Sequence, residues 1–302
     1  PTDLKLLREL HDKIKKISIV VDSGAHLEAL SRVMNGSTKP FSVIVEQDMS
    51  LRYLSGFIHI GVRRSGIRSV DQILDFITRI KKFKELEFHG LMAYEAQLAG
   101  VGDRNPFKWF LAPLLTLVRE LSLREIPRLR SHTAKVLADE GISIAVYNGG
   151  GTGSLNYAAK EACLTEVTVG SAFFCPHLFD YFSNIQFEPA AFFALPTVRS
   201  SDSGFVTCLS GGYSASGAAG FDRLPVVWLP RGAKLTKIEG AGEVQTPIQI
   251  KGRLALGEPV IFRHAKAGEL CEHFNELLLL EAEMPVGDRT SYKISGRAKT
   301  YR

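Results

Sequence analysis

The sequence predicts an α/β protein: a parallel β/α array over residues 1–188, followed by a mostly antiparallel β domain over 189–302. Three observations carry that prediction. Short β-branched runs alternate with longer segments of helical period as far as about Phe174. Polar and ionisable residues gather just after the ends of the strand-like runs, where parallel barrels carry their chemistry. After about Pro189 the texture changes to short strand-like runs broken by Gly, Pro and Ser, and the boundary is placed within Phe187 to Pro196.

The expected strands of the first part are Ile17 to Val21, Phe41 to Glu46, Phe88 to Met92, Ile142 to Val146 and Glu166 to Val169. Apolar residues at three-to-four spacing predict helices over Leu4 to Lys15, His26 to Met34, Val70 to Phe83 and Ile126 to Glu140. Five such strands fall short of the eight of a closed β/α barrel, so either the sheet is open or the chain lacks its beginning. The chain starts within a helix-like segment and stops at Thr300-Tyr301-Arg302, which reads as a fragment. In the second part the expected strands are Phe205 to Leu209, Pro225 to Leu229, Lys234 to Glu239 and Pro259 to Arg263, with a helix over Gly268 to Leu280.

Bulk properties exclude several classes. With 45% hydrophobic and 23% charged residues, the 302-residue chain has the balance of a globular protein and not of a disordered one. The net charge of +5 is dispersed, and the densest basic stretch, Lys81-Lys82-Phe83-Lys84, is broken at once by Glu85 and Glu87. That is a solvated helix end, not a nucleic-acid patch. Cys163, Cys175, Cys208 and Cys271 lie far apart without CxxC spacing, which argues against a disulfide framework or a structural zinc cluster and fits a reducing compartment. No apolar run is long enough to span a bilayer and no leader pattern is present, so the expected location is the cytoplasm.

The strongest chemical signal is Tyr147-Asn148-Gly149-Gly150-Gly151-Thr152-Gly153-Ser154, directly after a strand-like run. Consecutive glycines bring backbone N–H groups close to an anion and the hydroxyls add donors, so the segment suits a phosphate; the alternative is a flexible turn. It has neither the Lys-Ser/Thr ending of a P-loop nor the dinucleotide fingerprint. Gly170-Ser171 after the next strand is a second turn of the same kind. Tyr94-Glu95-Ala96-Gln97 also ends a strand, although Glu95 there could simply cap a helix. Arg63 and Arg64 stand in a Gly-flanked turn, suited to a phosphate, a carboxylate or a surface acid. Near the C-terminus, Arg263-His264-Ala265-Lys266 and Cys271 concentrate possible ligands and proton carriers, but the His264 to Cys271 spacing is no recognised metal pattern.

Taken together, HIGVRRSG (His59 to Gly66), GLMAYEAQLAGVGD (Gly90 to Asp103), YNGGGTGS (Tyr147 to Ser154), EVTVGSAFF (Glu166 to Phe174), GAGEVQTP (Gly240 to Pro247) and FRHAKAGELCE (Phe262 to Glu272) resemble the fold-type III pyridoxal-phosphate enzymes. Alanine racemase is a distant member, and D-threonine aldolase, D-serine dehydratase and the bacterial amino acid deaminase/aldolases are nearer. The resemblance implies a partial (β/α)8 barrel of the alanine racemase type, first strands missing, and a C-terminal β domain. It implies that Gly151, Thr152, Gly153 and Ser154, with Gly170 and Ser171, bind the phosphate of pyridoxal 5'-phosphate. It puts Tyr94 and Gln97 beside the cofactor ring and Arg64 at the basic position of the family's RxG-type turn.

Two departures qualify it. The family's Schiff-base lysine lies on the first barrel strand, upstream of anything here, so this 302-residue chain is expected to be inactive by itself. The family's metal-ligand pair aligns with His264-Ala265-Lys266, where an ammonium replaces a ligand; Lys266 is expected to supply the positive charge, leaving His264 and Cys271 as weak metal candidates. The expected activity is lysis of a small D-amino acid through an external aldimine, by aldol cleavage or dehydration, with His264 and Lys266 as catalytic candidates. A racemase or a non-catalytic remnant is the alternative. A homodimer is the expected assembly.

Overall fold

The computed structural model describes residues 2–14, 16–280 and 291–293; the closing Thr300-Tyr301-Arg302 lies outside them. The chain divides into two compact units, Pro1–Val101 with Phe110–Gly170, and Gly102–Trp109 with Ser171–Arg302.

In the first unit α1 (Thr2–Lys13) precedes β1 (Ser18–Val21), α2 (Gly24–Met34) and β2 (Phe41–Glu46). A small hairpin, β3 (Leu51–Tyr53) and β4 (Ile58–Ile60), follows, then α3 (Val70–Ile80), β5 (Leu86–Ala93), the single turn α4 (Ala96–Ala99) and α5 (Ala112–Asp139). β6 (Val146–Gly149), α6 (Leu155–Ala158) and β7 (Glu166–Val167) complete it. The sheet runs β1-β2-β5-β6-β7 with every pairing parallel, the arc of a β/α barrel.

The local signals explain the helices. Ser23 caps α2, and Ser69 with Gln72 forms a reciprocal capping box at α3. Ile73, Phe76, Ile77 and Ile80 make one buried stripe on α3, which packs in a single core with Val43 and Val45 of β2 and Leu91 of β5.

In the second unit β8 (Phe193–Ser200), β9 (Phe205–Leu209), β10 (Val226–Leu229), β11 (Lys234–Leu235), β12 (Gln245–Gln249) and β13 (Pro259–Arg263) form an antiparallel sheet of order β10-β13-β8-β9-β12-β11. Its core stacks Phe193 on Phe262, ring centroids 5.2 Å apart, among Val206, Cys208, Ile248 and Val260. α7 (Ala267–His273) follows, and β14 (Glu276–Leu278) pairs with β15 (Ser291–Lys293). Residues 102–109 are tied in through buried Asp222, which accepts from Asn105 Nδ2 at 2.9 Å and Lys108 Nζ at 2.8 Å.

Four expectations shift. β6 begins where Ile142 to Val146 was expected to end, because its ladder with β5 starts only at the Gly90–Val146 pair. The predicted helix over Gly268 to Leu280 ends at His273, where Phe274 turns extended and packs against Phe193 and Tyr213. β8 starts inside the expected boundary: Phe193, Leu195 and Thr197 are buried and Ala194 and Pro196 exposed, a strand alternation masked by its proline. α5 begins 14 residues before the expected Ile126 and runs through Pro127.

Among the described residues no helix is long and apolar enough to cross a membrane.

Gly90 makes the β5–β6 contact possible, since a Cβ there would stand 1.8 Å from the Val146 carbonyl oxygen. Gly90→Ala is expected to destabilise the protein by about 3 kcal/mol or more in urea unfolding; a loss under about 1 kcal/mol would show that β6 does not need this approach.

Candidate functional site

The glycine-rich segment is partly strand and partly turn. Tyr147, Asn148 and Gly149 belong to β6, pairing with Leu91, Met92 and Ala93, and the chain turns at Gly150, φ 81°, into a single 3-10 turn over Thr152–Ser154. Each glycine of the triplet is required by a different neighbour. A Cβ on Gly149 would lie 3.0 Å from Cζ of Arg130, one on Gly150 would lie 2.6 Å from Cγ1 of Val167, and one on Gly151 would lie 2.6 Å from Cβ of Ala99. The triplet is therefore a packing solution before it is a ligand cradle.

Beneath this loop lies a buried ionic network. Arg130, with no exposed surface, projects from α5 and ion-pairs with Glu95, itself 1% exposed. It donates to Glu161 Oε1 at 2.6 Å and to the Ala93 carbonyl at the end of β5. Glu95 in turn accepts from Gly150 N at 3.1 Å and Ser154 Oγ at 2.6 Å. Ser154 Oγ also accepts from Gly151 N at 3.1 Å. Burial raises the Glu161 carboxyl above the usual range, the Arg130 charge opposing it. Glu95, one of the residues that could have been a helix cap, makes no side-chain cap bond to α4 and holds the loop instead.

These bonds constrain what the loop can offer a ligand. The Ser154 hydroxyl proton goes to Glu95 and that of Thr152 to Val169 O at 3.0 Å. A phosphate is then left the backbone N–H groups, such as that of Thr152, rather than the side-chain hydroxyls. At Gly170 a Cβ would meet nothing within 4 Å, so space is open there. Gly170 closes the first unit and Ser171, bonded to it, opens the second.

Arg64 and Tyr94 join this cluster. The Arg64 guanidinium carbon lies 5.8 Å from the centroid of the Tyr94 ring, and Cε2 of that ring is 3.1 Å from where a Gly151 Cβ would be. Tyr94 is half-buried, its phenol pushed up by burial and Glu95 and pulled back by Arg64. Gln97 is buried and donates through Nε2 to the Met49 carbonyl at 2.7 Å, bracing the segment after β2. Asp48 in that segment holds Arg52 and both donors of Ser50. The structure thus brings Arg64, Tyr94, Gln97 and the Gly151–Ser154 turn together at the C-terminal ends of β2, β5 and β6.

The remaining candidates lie in the second unit. His264 follows β13 and is 2% exposed; burial pushes its imidazole down to about 4, the Ala191 backbone opposing, so it is neutral at physiological pH. Lys266 donates to the Ser216 carbonyl at 3.3 Å, and burial first, then Arg223, lowers its ammonium, with Glu269 opposing. Cys271 is a half-buried free thiol raised by burial. Among the described residues no group of three or more His, Cys, Asp or Glu side chains could hold a metal ion, so His264 and Cys271 find no third partner of that kind.

Sequence reasoning missed Arg130 and Glu161. The signal for Arg130 was present: Val118, Ser122, Ile126, Thr133 and Leu137 form the buried stripe of α5, and Arg130 occupies its own place in it. A charged residue on an apolar stripe has to be paired.

Two outcomes follow. Gly150→Ala is expected to lower stability by about 1–3 kcal/mol through strain and the Val167 contact, while Gly170→Ala stays within about 0.5 kcal/mol, as read by chemical denaturation. For His264 the folded state binds its proton less tightly than the unfolded one, so stability is full above about pH 6.5 and is lost as pH falls toward 4. The loss is roughly 3 kcal/mol, and His264→Gln should flatten that limb of the stability–pH curve; an unchanged limb would assign it to other groups.

The alanine racemase N-terminal domain family matches residues 2–175. A D-threonine aldolase of Arthrobacter sp is 28% identical over 204 residues, 66% of this chain and 47% of its own; the chain thus spans about half of that relative. Among solved structures, D-threonine aldolase from Filomicrobium marinum superposes with TM-score 0.77 at 17% identity, over 99% of this chain and 75% of that one. D-threo-3-hydroxyaspartate dehydratase from Delftia sp. HT23 gives 0.66 at 17%, over 98% and 76%. Since the family match runs over more than half of the chain and takes in the whole glycine-rich site, the protein belongs to the alanine racemase N-terminal domain family.

Proposed function

We propose that this chain is the cofactor-binding body of a pyridoxal-phosphate-dependent lyase acting on small D-amino acids. The observation that carries the reading is the convergence of Arg64, Tyr94 and the three-glycine turn at the ends of β5 and β6. The D-threonine aldolase and D-threo-3-hydroxyaspartate dehydratase relatives support the reaction class.

The residues fit the cofactor. The open space at Gly170 and the backbone donors of the turn suit a phosphate, while the half-buried Tyr94 ring gives a flat apolar wall. Gly151, Thr152, Gly153, Ser154 and Gly170 would form the phosphate site, with Ser171 next in the chain; Thr152 would offer its backbone N–H, while Gly151 and Ser154, whose donors are spent within the turn and on Glu95, would shape it. Tyr94 and Gln97 would flank the ring. Arg64 would place positive charge near it and restrain its protonation. When bound, the cofactor supplies delocalisation of the electron pair left as a bond to the substrate α-carbon breaks. His264 and Lys266 are the proposed catalytic residues: Lys266 brings charge and a transferable proton to the substrate hydroxyl, while His264, neutral as folded, can accept a proton but has none to spare as an acid. Lys266 takes the electrostatic part that a divalent cation would otherwise play. A cytoplasmic homodimer is the proposed working form.

The test is to express the whole reading frame and assay pyruvate and ammonia from D-serine and glycine from D-threonine, with the L-enantiomers alongside. Turnover of a D-substrate, insensitive to EDTA and lowered by about tenfold or more in Lys266→Met, is the expected result. Racemisation alone would move the protein to the racemase branch, and no cofactor-dependent absorbance or product would defeat the reading.

A further inference from the structure

We propose that Arg130 is the positioning residue of the phosphate loop, acting through Glu95 on both the placement and the charge of the site. The inference rests on the cofactor reading above and deepens it.

One guanidinium registers both strands from which the site springs. Arg130 donates to the Ala93 carbonyl at the end of β5 and lies against Gly149 at the end of β6, its Cζ 3.0 Å from where a Cβ would be. Its carboxylate partner reaches the other way: Glu95 receives Gly150 N and Ser154 Oγ, and Ser154 receives Gly151 N. Glu95 also follows Tyr94 in the chain, so the residue that fixes the turn fixes the adjoining ring wall. Groups held this way are ordered before a ligand arrives, which removes the ordering entropy from binding.

The charge matters as much as the placement. Glu95 is a buried carboxylate directly behind a loop meant to receive a phosphate dianion, and in a poorly solvated site that repulsion would be strong. Arg130 cancels it. A buried ion pair adds little net stability over apolar residues of similar volume in general, so registry is the better reading of this one. Glu161, the second carboxylate on Arg130, is partly solvated and is held above the usual range by burial.

The test compares affinities of the full chain for pyridoxal phosphate and for pyridoxal, whose ratio isolates the phosphate. Arg130→Met should lower the ratio by about tenfold or more, and adding Glu95→Gln, which removes the uncancelled charge, should recover at least about threefold. Arg130→Lys should hold an intermediate ratio. A ratio within about twofold of the unaltered protein in Arg130→Met, with only the melting temperature lowered, overturns the proposal and leaves Arg130 as a structural tie. If that variant fails to fold, amide exchange in the unaltered, cofactor-free protein decides. Gly150 and Gly151 amides as protected as those of β5 support prior ordering, and rapid exchange overturns it. An unaltered protein with no preference for the phosphorylated ligand overturns the functional reading itself.

Discussion

The buried ion pair between Arg130 and Glu95 is the constraint on which the rest of the first unit depends. Removing two charges from water is unfavourable, and the cost is met only because each charge also satisfies several hydrogen bonds. Arg130 engages Ala93 O, Glu95 and Glu161, and Glu95 engages Gly150 N and Ser154 Oγ. Loosening any one of them leaves a buried charge less well compensated. The network therefore behaves as a unit, and through it a residue in the second half of a 28-residue helix sets the shape of a turn at the end of a strand.

That constraint changes the meaning of the glycine-rich motif. Its composition suggests a flexible loop whose hydroxyls reach for a phosphate. In the folded chain the three glycines are each packed against a different group, and both hydroxyls donate within the protein. On the proposed reading an anion would meet backbone N–H groups of a hydrogen-bonded turn, an arrangement that needs little reorganisation on binding. Tyr94 and Arg64, from separate loops, adjoin the same turn, so the cluster is polyvalent although no single contact in it is strong.

The second unit is organised by different means. Its core is rich in aromatic rings, with Phe193 against Phe262, Phe274 and Tyr213, and Tyr213 against Phe274, and its polar ties run through Asp222 and Arg263. Arg263 donates to the Cys175 carbonyl and both oxygens of Asp180, anchoring the end of β13 just before His264. His264 is thereby held in a buried, neutral state, which sets its chemistry apart from that of the lysine two residues on.

How much of this was legible follows from the range of the interactions involved. Sequence alone determined the parallel alternation and β2, β9 and β13 to the residue, since period and turn chemistry are local properties, whereas Arg64, Tyr94 and the glycine turn were grouped only by the family resemblance. Where local signals conflicted, only the tertiary structure decided. Phe274 left its helix to join an aromatic core, β8 formed in spite of Pro196, and β6 moved into the glycine motif because Gly90 lets its backbone approach. The partnership of Arg130 and Glu95 lay furthest out of reach. Their separation of 35 residues spans a strand end and a long helix, and nothing in either segment names the other; the pairing exists because folding buries both charges in one place and leaves each no better partner.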